Sequence, residues 1–132
     1  MTLSNTNALT GTNSLNIHGI GGGTTILSGT NNYSGGTTFV GNSGTLNFAN
    51  GALGSGNISF SSPAPSLQWA SGNTQDISAS RTVTFNSGSN PSFDTNGNNV
   101  VLGSPIGNFG AGGLTKAGTG NLTLTGINTY TG

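Results

Sequence analysis

Apolar residues come in short packets that alternate with polar ones. Residues 24–27 read TTIL, 37–40 TTFV, 45–48 TLNF, 66–69 SLQW and 81–85 RTVTF. A period of two marks a β-strand with one face turned inward. Similar packets lie at 14–17, 58–60, 92–94, 100–102, 113–115 and 122–124. Between them stand residues that tolerate positive φ: Asn50-Gly51, Asn96-Gly97, Ser43-Gly44 and Ser87-Gly88. Strands this short, with corners this frequent, suit a β-solenoid. A sandwich needs strands of about five or six residues to cover its core. Helix is disfavoured throughout, since Gly, Ser, Thr and Asn all rank low on the helix scale. At most one helical turn fits, at residues 73–80. The alternation nominates Leu27, Leu46, Phe48, Leu67, Val83, Phe85 and Val101 as core, with Leu3, Leu122 and Leu124 towards the ends. Replacing Leu124 with Asp is expected to prevent folding, because an unpaired charge in a narrow core is costly.

An internal repeat supports a single solenoid domain over residues 1–132. Residues 123–132 read TLTGINTYTG, 26–35 ILSGTNNYSG and 2–11 TLSNTNALTG. Leu3, Leu27 and Leu124 correspond, as do Asn7, Asn31 and Asn128, and Leu9, Tyr33 and Tyr130. The first two copies are 24 residues apart, and the last two 97, close to four times 24. A coil of 24 residues, with three short strands and three corners, divides the chain into five to six coils. Asn7, Asn31 and Asn128 are expected to stack their amides into a ladder at one corner.

These copies resemble the autotransporter-associated β-strand repeat of large bacterial surface proteins. The residues that carry the resemblance are GGLTKAGTGNLTLTGINTYTG at 112–132, with LTK, GTG, LTL and NTYTG in order. The segment GTTILSGTNNYSGGTTFVGNSGTLNF at 23–48 is similar, and is followed by ALGSGNISF at 52–60. Residues 80–102 resemble the portion that links two copies. The resemblance implies an all-β chain wound as a right-handed parallel β-helix and exported from the cell. It brings no catalytic residues with it. The last motif stops at Gly132, where the family continues with Gly-Thr-Thr. That leaves two readings: a piece of a larger chain, or a short relative that assembles differently.

Composition narrows the functions. Gly (25), Thr (20), Asn (19) and Ser (17) dominate the 132 residues, and only Asp76, Arg81, Asp94 and Lys116 are charged. Two cations make no basic patch, so electrostatic binding to nucleic acid or anionic lipid is not expected. No cysteine is present, which excludes disulfides and thiolate metal sites. Apolar runs of three or four residues do not span a membrane as helices, and no basic start with an apolar run marks a signal peptide.

Candidate chemistry is sparse. His18 is the single histidine and has no carboxylate near it in sequence, so it is expected at a corner or in solvent. Asp76 and Asp94 are 18 residues apart. They lie close to one coil apart, but polysaccharide-acting sites cluster more acids than two. Asp94, in SFDTNGNN, fits the start of a turn. The Gly-rich run 19–23 lacks the GK[ST] ending of a phosphate loop. Trp69, Tyr33, Tyr130 and the six Phe either fill the core and corners or form a sugar platform. No cofactor, metal or catalytic residue is assigned.

The leading expectation is a non-enzymatic extracellular β-solenoid building block. In one version its ends stack head to tail into a fibre, through Leu3, Asn7, Leu9, Leu122, Leu124, Asn128 and Tyr130. In another it is a stalk segment of a passenger or adhesin. Its partners are then copies of itself or adjacent coils of a longer chain. A third reading, an ice- or glycan-binding solenoid, requires outward Thr-x-Thr at one fixed site on every coil. Thr82/Thr84 and Thr123/Thr125 supply that pattern, and other strands break it.

Overall fold

The chain winds into an all-β solenoid of about five turns. The structure, a computed structural model, describes all residues except 19–21, 43 and 108–111. Phe109 and the corner residue Ser43, both considered above, therefore lie outside the described residues. Twelve strands are present among those described: β1 (Thr2–Leu3), β2 (Leu15–His18), β3 (Thr24–Leu27), β4 (Thr37–Val40), β5 (Thr45–Phe48), β6 (Ile58–Phe60), β7 (Ser66–Trp69), β8 (Val83–Phe85), β9 (Ser92–Asp94), β10 (Val100–Leu102), β11 (Thr115–Ala117) and β12 (Leu122–Leu124). They form three parallel sheets, ordered β1-β3-β5-β7-β9-β11, β2-β4-β6-β8 and β10-β12. In the earlier coils the third wall is irregular but still bonded coil to coil. Asn7 N donates to Thr30 O, Ser34 N to Gly11 O and Ser55 N to Tyr33 O.

Residues 73–80 form no helix. The coils are uneven in length, not a constant 24 residues. Paired residues are 24 apart at Thr2/Ile26, 21 at Thr24/Thr45 and 26 at Ser66/Ser92. Most of the extra length in the longest coil lies between β7 and β8. That segment is tied down by the buried Ile77 and Ser78 and by Arg81. The guanidinium donates to the carbonyls of Leu53, Gly54 and Gly56 in the coil below.

Inward positions stack into apolar columns. Leu27, Phe48 and Trp69 form one; Leu46, Leu67 and Phe93 another; Ile17, Phe39, Phe60 and Phe85 a third. Aromatic rings meet along and across these columns. Phe39 stacks on Phe60 at 4.7 Å, and Phe93 stands 5.6 Å from Phe60 and 5.5 Å from Trp69. The buried indole N–H of Trp69 donates to Gln75 O, so this donor is satisfied within the core. Leu27, Leu46, Phe48, Leu67, Val83 and Phe85 are fully buried, as the alternation required. Val101 is not: it is 51 % exposed. Three apolar residues in a row leave the phase of β10 undetermined in sequence. Pairing fixes it, since Val100 sits on Leu122 and Leu102 on Leu124, leaving Val101 outward beside Thr123.

The repeat acquires a different meaning in three dimensions. Copies 2–11 and 26–35 stack directly, with Thr2 on Ile26. The column of Ile26 runs through Asn47, Gln68 and Asp94 to Ala117. The position in the third copy that matches Ile26 is Thr123, six residues further on and in another sheet. The 97-residue spacing is thus four coils plus one face, not four whole coils. Local conformation is nonetheless retained. Asn31 and Asn128 each donate to the carbonyl two residues back, Gly29 and Gly126. Each also accepts from the neighbouring coil's backbone, at Leu9 N and Ile106 N. The expected amide-to-amide ladder does not form, because these side chains satisfy backbone groups of the adjacent coil.

The motif glycines Gly29 and Gly126 are explained by close approach. A Cβ on Gly29 would lie 2.3 Å from Asn5 O, and one on Gly126 2.4 Å from Ser104 C. Backbone of the preceding coil cannot give way as a flexible side chain would. Gly29→Ala is expected to cost about 1–3 kcal/mol, as overpacking typically does. Urea denaturation measures this, and an unchanged midpoint would refute the packing account.

Candidate functional site

The outer face of the largest sheet carries the most regular polar array. Thr24, Thr45, Ser66, Ser92 and Thr115 form one outward column. Beside it, Asn47 Nδ2 donates to Gln68 Oε1 at 2.7 Å, and Gln68 Nε2 to Asp94 Oδ2 at 2.7 Å. Three successive coils are laced by this side-chain ladder. In-register parallel strands about 4.8 Å apart place identical columns within hydrogen-bond reach.

Both carboxylates are engaged in structure. Asp94 Oδ1 accepts from Asn96 N, opening the turn that the sequence indicated. Asp76 Oδ1 accepts from the N–H and hydroxyl of Ser78, and its Oδ2 accepts from Gly103 N in the next coil. Asp94 lies in β9, whereas Asp76 lies in the segment joining β7 to β8. The two are on different walls, so stacking does not bring them together as a carboxylate pair. His18 is exposed at the end of β2, with its Nε2 against Gly41. Among the described residues no group of three or more His, Cys, Asp or Glu could hold a metal ion. No helix among them is long and apolar enough to cross a membrane.

The aromatic residues serve the interior. Trp69, Tyr33, Phe39, Phe48, Phe60, Phe85 and Phe93 are all buried, so they offer no platform for sugar stacking. Tyr33 donates to or accepts from Thr37 Oγ1 at 2.6 Å. Burial pushes its hydroxyl pKa above the ordinary value, while the Thr37 bond and the Arg81 charge pull the other way. Arg81 is itself lowered by burial, with Tyr33 opposing. Thr84 lies in β8, on the sheet of β2, β4 and β6, and Thr123 in β12 beside β10. The two Thr-x-Thr pairs therefore lie on different faces and make no common threonine surface.

The two ends differ in chemistry. At the first coil, Ala8, Leu9, Thr10, Asn13, Ser14, Leu15 and Tyr33 line a hollow of about 310 Å³. At the last coil, Leu114, Leu122, Leu124 and Tyr130 are partly buried against the core, and Tyr130 packs its ring 5.6 Å from Phe85. Of the residues named as stacking contacts, Leu3, Leu9, Leu122, Leu124 and Tyr130 are core-edge side chains. Asn7 is exposed with φ 55, and Asn128 is occupied within its own coil and the one below. Sequence reasoning missed Lys116, having ended the local strand one residue earlier. The structure puts it at the centre of β11, on Phe93.

The passenger-associated-transport-repeat family matches residues 20–50 and 114–132. These overlap the motif-bearing segments 23–48 and 112–132, while residues 52–60 and 80–102, which also resemble that repeat, lie outside the match. No curated protein and no solved structure matches the chain.

Proposed function

We propose that this chain, which carries passenger-associated-transport-repeats, is a non-enzymatic structural section of an extracellular bacterial β-solenoid. Repeat and fold together fit a passenger-type β-helix. The observation that carries the structural role is the continuous six-stranded sheet, with its columns running coil to coil. Its ionisable groups support that role: Asp76, Asp94 and Arg81 hold one coil to the next. A rod of this kind gains length by adding coils, each bonded only to its neighbours. The repeat supports a location at the cell surface or exterior, where such a rod would serve as stalk or matrix element. Labelling intact producing cells with an antibody to the folded chain tests the location. Staining without permeabilisation is expected. Staining that appears only after lysis would overturn the reading.

A second reading concerns how the rod is extended, and the terminal coils favour it. Both leave core-edge leucines only partly buried, Leu3 and Leu9 at the first coil and Leu122 and Leu124 at the last. On this reading copies stack head to tail through parallel strand edges, as heterologous contacts that do not close into a ring.

A further inference from the structure

We propose that Asn50 is a site of spontaneous deamidation, and that the amide of Gln75 in the next coil sets its rate. The site is independent of how the rod is extended. An asparagine followed by glycine is the pair most prone to this reaction, because no side chain shields the glycine nitrogen. The chain contains two such pairs, Asn50-Gly51 and Asn96-Gly97, and both occupy turns. Their surroundings differ. At Asn96 both reacting groups are held by backbone carbonyls. Its Nδ2 donates to Trp69 O at 3.1 Å in the coil below, and Gly97 N donates to Thr119 O at 2.9 Å in the coil above. At Asn50 the side chain is exposed and makes no hydrogen bond among the described residues. It borders a hollow of about 150 Å³ beside Ala70, Ser71 and Asn73, which leaves the amide room to turn and admits water. The restraint falls on Gly51 N alone, and comes from a side chain: this N–H donates to Gln75 Oε1 at 3.0 Å.

In the reaction Gly51 N gives its proton to solvent and bonds to Asn50 Cγ. The Cγ–Nδ2 bond breaks, ammonia leaves and a cyclic imide closes. Water then opens the ring at either carbonyl, leaving an aspartyl residue or an isoaspartyl link. While Gln75 Oε1 holds the Gly51 proton, the nitrogen cannot attack. That bond opens by rotation of one side chain, whereas Thr119 O leaves Gly97 N only when a coil opens. Either product adds a negative charge to a chain of zero formal net charge. The isoaspartyl link also inserts a carbon into the main chain between two points bonded to the coil below. These are Ala49 N, on Leu27 O at 2.8 Å, and Gly51 O, which accepts from Asn31 N at 3.1 Å. The corner cannot keep its register at both.

Peptide-resolved mass spectrometry of the folded chain, incubated at mildly alkaline pH, tests this in wild type, Gln75→Ala and Gln75→Glu. A urea-unfolded sample gives the intrinsic rate of each pair, against which the folded rates are read. In folded wild type Asn50 is expected to convert at least about fivefold faster than Asn96, the factor that one more ordinary hydrogen bond represents. Gln75→Ala is expected to raise the Asn50 rate by about the same factor and to leave Asn96 as it was. Gln75→Glu keeps an acceptor and is expected to cause no rise. Far-UV circular dichroism verifies the fold, and Gln75→Leu replaces the alanine variant if that one does not fold. Asn96 converting as fast as Asn50, or neither converting in the folded chain while both do in urea, would overturn the site. An Asn50 rate unmoved by loss of the Gln75 amide, a rise shared by Asn96, or an equal rise in Gln75→Glu would overturn the control by Gln75.

Discussion

Phe93→Ala is expected to destabilise the fold by about 3–5 kcal/mol, the range for truncating a buried aromatic ring. Phe93 is fully buried. Its ring stands 5.6 Å from Phe60, 5.5 Å from Trp69 and 6.0 Å from Phe85. It therefore joins the aromatic column of one sheet to the core of the other. The backbone around it is fixed by pairing on both sides, to β7 and β11, so the vacated space cannot close by collapse. A domain is stable by only about 5–15 kcal/mol, so this single change removes a large share. Equilibrium urea denaturation provides the measurement, with a lower midpoint expected. Because coils contact only their neighbours, weakening a central one is also expected to broaden or split the transition. A loss below about 1 kcal/mol, well outside the range for a ring this enclosed, would show that Phe93 does not hold the walls together.

The second large effect is a contrast between two charges. Leu67→Asp is expected to abolish folding, whereas Leu124→Asp is expected to loosen only the last coil. Leu67 is fully buried, with Leu46 on one side of its column and Phe93 on the other. A carboxylate there has no water and no cation, and several kcal/mol of desolvation is about what the whole domain can spare. Leu124 is partly buried in β12, whose described partner is β10 alone. A carboxylate at that edge reaches solvent. The expectation from sequence, that Leu124→Asp prevents folding, is revised because alternation reports which way a side chain points and not whether a coil lies beyond it. Circular dichroism with amide hydrogen exchange separates the outcomes. Leu67→Asp should lose protection throughout, while Leu124→Asp should lose it in β12 and keep it in β3 to β8. Native protection in Leu67→Asp, or global loss in Leu124→Asp, would contradict the assignment of interior and edge coils.

The amino-acid sequence determined the class of fold, most of the strands and one wall of the core. Alternation at TLNF and SLQW leaves only one inward set, so Leu46, Phe48, Leu67 and Trp69 could face only one way. Glycine and asparagine at fixed offsets then put corners between them, and chain composition ruled out a helical or disulfide-built alternative. What the sequence could not decide were quantities set by neighbours. Three apolar residues at 100–102 fit either phase, and pairing with β12 chose the one that exposes Val101. The spacing of repeats gave a period but not the number of faces in it. Coils of unequal length turned a 97-residue separation into four coils plus one face. Asn31 and Asn128 were legible as corner residues, yet their partners were not, because those partners are backbone groups of another coil. Lys116 shows the limit most clearly. LTKAG contains no alternation that places a lysine inward, and only the register against Phe93 does so. Periodicity is a local property of the chain. Register and the end of a column arise only when one coil is laid on the next.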